Sequence, residues 1–341
     1  MNKQMPAVFS EWRVPVALAG GYPPKPEGKI RIVAIGNFDG AHLGHRAVAT
    51  AARALGSDLA SGRCGTEILA LTFEPHPRQF FQPDTPHFRL VSESRRGDAL
   101  RRIGFDGAVI LPFDDALAGL APETFISEIL MERLHADGVV VGEDFHFGKG
   151  RAGTPTLLKA EGERRGIAVR FVQPYRDGDG AIVASSAVRK ALGEGRVADA
   201  NRMLGYAYSV SGPIIHGEKR GRELGYRTAN MKLDPATGLA HGIYAVRVRL
   251  DDGRVVPGVA SFGRRPHFDN GAPLLETHLF DFEGDLYGRE IEVIFESYLR
   301  GETKFDSLDA LIAQMDADSL EAKKRLTTST KERAGGPRAE T

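Results

Sequence analysis

Residues 35–45 read Ile35-Gly36-Asn37-Phe38-Asp39-Gly40-Ala41-His42-Leu43-Gly44-His45. It follows the apolar run Ile30–Ile35 and precedes residues 43–55, where apolar side chains recur at helical spacing, so it reads as a turn from a buried strand into a helix. Gly36 and Gly40 permit a tight turn and the close approach of a phosphate. The helix start beyond them offers free backbone N–H groups and the positive end of a dipole. His42 and His45 stand three residues apart and share one face of the first helical turn. Two imidazoles placed there can donate to phosphate oxygens, and the donation strengthens as charge builds in a transition state.

Outward from this turn, residues 67–73, 107–111, 137–141 and 167–172 form further short apolar runs, separated by amphipathic segments at 93–103 and 122–134. In the last of these, Phe125, Ile129 and Leu130 recur at helical spacing behind Pro122. Strand–helix–strand repetition predicts a parallel sheet covered on both faces, with ligands beyond the C-terminal ends of its strands. After about Tyr206 the period becomes two. In residues 242–250, Tyr244, Val246, Val248 and Leu250 point one way while Arg247 and Arg249 point the other. Similar strands at 254–262, 274–282 and 289–295, with no helix between them, predict an antiparallel barrel or sandwich, closed by one or two helices over 305–326 with a stripe of Leu308, Leu311, Ile312 and Met315. Two domains are expected, 15–200 and 201–328, with a disordered tail over 329–341.

The balance of the chain excludes several functions. Of 341 residues, 45 are Lys or Arg and 45 Asp or Glu, so the basic excess of a general nucleic-acid binder is missing. Arg95, Arg96, Arg101 and Arg102 read as a solvated helix face. A single cysteine, Cys64, allows no intramolecular disulfide and fits a reducing compartment. No run approaches the roughly 18 apolar residues of a membrane span. A cytoplasmic protein with neither nucleic-acid nor membrane partners is expected, of undetermined oligomeric state. Gly148-Lys149-Gly150-Arg151-Ala152-Gly153 matches a dinucleotide-binding glycine pattern, but it begins several residues after its strand, and no acidic residue closes the next strand, so it is set aside.

Residues 216–230 form a glycine-rich basic loop. Lys219, Arg220 and Arg222 suit polyphosphate, and Thr228 and Asn230 offer neutral oxygens for a Mg²⁺ shell. From composition alone an exposed turn explains it equally well.

The Gly-Asn-Phe-Asp-Gly-x-His-x-Gly-His run resembles the His-x-Gly-His nucleotidyltransferases. Its Phe-Asp-Gly form is similar to the adenylyltransferase half of bacterial bifunctional riboflavin kinase/FAD synthetases. The resemblance implies a Rossmann-like α/β nucleotidyltransferase domain followed by a β-barrel kinase domain with a closing helix. Its implied substrates are ATP, riboflavin and FMN, with Mg²⁺ as cofactor.

Site residues follow from the same resemblance. His42, His45, Arg189 and Glu276 are the implied catalytic set. Gly36, Asn37, Phe38, Asp39, Gly40, Ser185, Ser186, Gly221, Arg222 and Gly225 are implied to bind ATP or phosphate. His76, Asp144 and Phe145 are implied to bind flavin, and Thr228 and Asn230 the metal. Ser185 and Ser186 would cap a helix, with Arg189 neutralising phosphate. Glu276 would take the proton of the ribityl hydroxyl. Two positions depart from the family pattern: Ala184 stands where Ser is common, and Arg227 where Pro precedes the Thr-Ala-Asn run. They leave open a single-activity FMN adenylyltransferase with an impaired kinase domain, or a flavin-binding regulatory homologue.

Overall fold

The structure is a computed structural model that describes residues 14–15, 22–60, 65–216, 226–264 and 273–335, with side chains to residue 328. Cys64, Lys219, Arg220, Gly221, Arg222 and Gly225 lie outside the described residues. Residue contacts divide the chain into one unit of Met1–His87 with Glu93–Ala184 and another of Phe88–Ser92 with Ser185–Thr341.

The first unit is built on a six-stranded parallel sheet. Its strands are β1 (Val14–Pro15), β2 (Ile30–Ile35), β3 (Thr66–Glu74), β4 (Gly107–Pro112), β5 (Gly138–Gly142) and β6 (Ala168–Val172), in the order β1-β4-β3-β2-β5-β6. Every residue of β2 is buried, as a central parallel strand covered on both faces requires. That includes Arg31, fully buried in an otherwise apolar run. Its guanidinium is satisfied by Glu67 Oε2 at 2.6 Å and by the carbonyls of Pro23, Pro24 and Leu134 at 2.9, 2.7 and 2.9 Å, which offsets the cost of removing a charge from water.

From β2 the chain builds outward to β3 and β4, then returns to add β5 on the other side of β2. The strand order therefore reverses between β2 and β5. The crevice beyond their carboxyl ends is where this architecture binds ligands.

Two expectations about helices change in this unit. Residues 122–134 form not a plain α-helix but a short turn, Pro122–Thr124, followed by Phe125–Arg133 in π-type winding, with Phe125, Ile129 and Leu130 still buried. Arg96 is not part of a solvated face. It pairs with Glu74 at the end of β3 and is largely buried, because the helix Arg96–Arg102 packs that side of its first turn onto the sheet.

The second unit is an antiparallel six-stranded barrel. Strands β7 (Ser209–Pro213), β8 (Thr228–Lys232), β9 (Gly242–Arg249), β10 (Val255–Arg264), β11 (Pro273–Leu279) and β12 (Glu290–Arg300) run in the order β7-β12-β9-β10-β11-β8, and the bridge Ile215–Asn230 joins its ends. Tyr244, Val246, Val248 and Leu250 line the core with Leu275 and Leu279, as the alternation predicts.

This core also takes Val188, Ala191 and Leu192 from the helix Ser185–Gly193, Val197, Ala200 and Leu204 from Val197–Leu204, and Leu90 from the segment Phe88–Ser92. The contact boundary consequently falls at Ala184/Ser185 rather than at residue 200, since the apolar faces of both helices are spent on the barrel.

A single helix, Leu308–Gly335, covers the outside of the barrel and continues past residue 329, where a disordered tail was expected to begin. Among the described side chains, Asp318, Ala322 and Leu326, four residues apart, are buried, and the last two cluster with Ala245 and Phe280. The expected stripe fails at its first member, as Leu308 is exposed.

Candidate active sites

The histidine turn begins where β2 ends. Gly36 N–H donates to Leu71 O at 3.1 Å, extending the sheet by one bond, and Thr72 Oγ1 donates to Asn37 O at 3.1 Å. The backbone then reverses through positive φ at Phe38, Gly40 and Ala41, with Gly40 at 87° in the region that only glycine adopts freely. Asn37 is exposed and Asp39 half-buried, both at the rim of the turn. Phe38 points inward: it is 3% exposed and packs edge-on against Phe105 and His45, forming a floor beneath the histidine turn.

His42 caps the helix Leu43–Leu59. Its Nδ1 accepts the His45 backbone N–H at 3.3 Å, so the neutral ring carries its hydrogen on Nε2 and presents that as a donor. His45 lies flat against His42, with ring centroids 3.6 Å apart and planes 19° from parallel. Its Nδ1 is buried with no hydrogen-bond partner among the described residues. Burial, and then the neighbouring His42, hold the His45 imidazole well below its ordinary 6.5. A side chain at position 44 would disturb this pair, since an added Cβ would lie 3.0 Å from His42 Nδ1 and 3.0 Å from Val183 O.

Asp144 and Phe145 follow β5 on the other side of the crevice. Asp144 is exposed, and Phe145 stacks on Phe147 with centroids 5.4 Å apart. His76 follows β3 and caps Pro77–Phe81, its Nδ1 accepting the Arg78 N–H at 3.1 Å, while its ring lies 4.3 Å from that of His87. His87 was missed from the sequence, where nothing local marks it. Phe147 could have been found from its spacing of two from Phe145.

Ser185 and Ser186 are the first two residues of the helix Ser185–Gly193. Arg189, one turn on, donates from Nε to Phe88 O at 2.6 Å. These three residues belong to the second unit and the histidine turn to the first.

In the barrel, Thr228 and Asn230 are on β8 and not in the preceding loop. Register sets Asn230 directly opposite Glu276 of β11, and Glu276 opposite Ser261 of β10. Opposed residues of antiparallel strands share a face, so these three side chains form a row on the outer face while Leu275 and Leu279 point into the core. Asn230 is only 4% exposed. Its Nδ2 donates to Thr228 O at 3.2 Å and its Oδ1 is buried without a hydrogen-bond partner among the described residues. An orphaned amide oxygen beside a half-buried carboxylate is a place for a cation or a donor. Ser261 falls within the strand expected over 254–262, but its place opposite Glu276 follows only from register.

A family model for FAD synthetase matches residues 25–187 and one for riboflavin kinase matches residues 204–326. Among curated proteins, the bifunctional riboflavin kinase/FMN adenylyltransferase of Escherichia coli K12 is 36% identical over 86% of this chain and 91% of its own. That of Pseudomonas fluorescens is 37% identical over 88% and 94%. A crystal structure from Streptococcus pneumoniae, described as a macrolide-efflux protein, superposes with a TM-score of 0.78 at 29% identity, covering 90% of this chain and 97% of that one. Among the described residues, no helix is long and apolar enough to cross a membrane.

Proposed function

The chain belongs to the family of bifunctional riboflavin kinase/FMN adenylyltransferases, and from that premise we propose how its two units divide the synthesis of FAD. It is a bifunctional transferase whose substrates are ATP, riboflavin and FMN. In the barrel, Glu276 takes the proton of the riboflavin 5′-hydroxyl as its oxygen attacks the γ-phosphorus of ATP, giving FMN and ADP.

Thr228 and Asn230 would hold Mg²⁺ there. The buried Oδ1 of Asn230 suits a hard cation, and the described residues contain no cluster of three His, Cys, Asp or Glu that would compete for it. When bound there, the ion would supply charge neutralisation for the phosphates of ATP.

In the parallel-sheet unit, the phosphate of FMN attacks the α-phosphorus of a second ATP, forming the FAD pyrophosphate bond and releasing pyrophosphate. No covalent enzyme intermediate is required. His42 donates from Nε2 to the phosphates, and His45 presses against it as a neutral partner. Backbone N–H groups of the turn add to this donor set. Asp144, Phe145 and His76 border the flavin. The observation that supports this reading is the His42–His45 stack in the turn that follows β2, next to which the strand order reverses.

Chromatography of the products after incubation with Mg²⁺ and ATP, with riboflavin and FMN in parallel, tests it. FAD from both substrates is expected. FAD from FMN alone would remove the kinase step, and no product from either would sink the whole reading.

A further inference from the structure

The strand that carries Thr228 and Asn230 is entered through Tyr226 and Arg227. Proline at position 227 would restrict the backbone before Thr228, and this chain has arginine instead, leaving that restraint to other groups. Three contacts converge on the two residues. His278 of β11 lies opposite Thr228 in register, two positions from Glu276 and on the same face. Its Nδ1 is 3.0 Å from Arg227 O, and because a carbonyl oxygen only accepts, that nitrogen carries the hydrogen. The Tyr226 ring tilts against the His278 ring with centroids 4.9 Å apart. The Tyr226 hydroxyl donates to Asp316 of the helix Leu308–Gly335.

That helix is anchored independently. Asp318, two residues on and on a different face, accepts from Arg300 Nε and Nη2 of β12 at distances down to 2.7 Å, and Ala322 and Leu326 pack on the barrel.

We propose that His278, Tyr226 and Asp316 are positioning residues of the kinase site, holding the backbone into Thr228 in place of the restraint a proline would supply at position 227. The inference rests on Thr228 and Asn230 being the Mg·ATP ligands. A restraint on those ligands acts on bound ATP before and during transfer alike, so its loss raises KM for Mg·ATP and leaves kcat nearly unchanged.

The test uses the full-length protein, with riboflavin phosphorylation and FMN adenylylation measured separately. His278→Phe keeps a ring against Tyr226 but loses the donor, and should raise KM for Mg·ATP in phosphorylation about five-fold with kcat within about two-fold. His278→Asn keeps an N–H where Nδ1 stood and should stay within about two-fold of the parent KM. Adding Arg227→Pro to His278→Phe should recover most of the lost affinity, while FMN adenylylation stays unmoved throughout.

An unchanged KM in His278→Phe, or a defect that Arg227→Pro leaves intact, overturns the proposal. If His278→Phe lowers both reactions through misfolding, Tyr226→Phe decides, because it deletes one hydroxyl. A KM raised about two-fold and corrected by Arg227→Pro supports the inference, and no change refutes it. Thr228→Ala and Asn230→Ala separate the premise from the inference: if they leave phosphorylation intact, the metal-site reading fails first, whatever His278 does.

Discussion

The histidine turn and the outer row of the barrel are both read as ATP sites, yet they are constructed in opposite ways. The turn is one continuous segment in which each residue constrains the next: His42 caps the helix on which His45 sits, Gly44 leaves room between them, and Phe38 forms the floor. The barrel row joins residues from three strands, Asn230, Glu276 and Ser261, which meet only because antiparallel register sets them opposite one another. A local site of the first kind is preorganised by its own backbone. A site of the second kind is preorganised by the sheet, and it inherits any looseness in the loops and helices that hold the strand ends.

Four experiments test this contrast between the two sites. The largest effect is expected from His42→Ala with His45→Ala, which should lower FAD formation from FMN by about 10³-fold and leave riboflavin phosphorylation at the parent rate. Equal loss of both activities would refute the independence of the two sites. Glu276→Gln should give the mirror image, a fall in phosphorylation of about 10²-fold with adenylylation intact; retained phosphorylation would remove Glu276 from the base role.

Gly44→Ala comes next. The new methyl group would press on His42 and the Val183 carbonyl, so adenylylation should fall roughly tenfold through displacement of the His42 ring, without removing any reacting group. A rate equal to the parent would mean that the turn yields more easily than its geometry indicates.

The smallest effect concerns acid stability. His45 is held neutral in the folded protein, with a pKa lowered below 6.5, whereas the unfolded chain protonates it normally. Its contribution is therefore fully present above about pH 6.5 and is lost as pH falls from there toward the depressed folded value, because only the unfolded state takes up the proton. Denaturant midpoints measured at about pH 7.5 and about pH 5.5 should differ less in His45→Asn than in the parent. An equal or larger difference would show that His45 titrates normally in the folded state.

Legibility differed between the two regions for the same reason. The strand before the turn, the turn itself and the helix after it follow from residues 30–59 alone, because capping, glycine geometry and i to i+3 spacing are local rules. The barrel strands were legible as elements, since alternation is also local. Their pairing was not, and Ser261 went unnoticed until register placed it beside Glu276. Thr228 and Asn230 read as loop because the glycines before them dominate the local signal, yet cross-strand pairing with β11 makes them strand. Arg96 read as solvated because spacing cannot show that Glu74, more than twenty positions earlier, waits at the end of a neighbouring strand.

The amino-acid sequence by itself determined the two periodicities, the phosphate turn with its paired histidines, and the family to which such a combination belongs. Tertiary structure alone decided that the helices after Ala184 complete the barrel core, that Phe38 is a floor, and that an Asn, a Glu and a Ser share one row. It also decided that the approach to Thr228 is held by His278 and Asp316. Local rules set what each segment becomes, but burial and strand register depend on which distant segment arrives to cover it, and that information is carried by no single stretch of the chain.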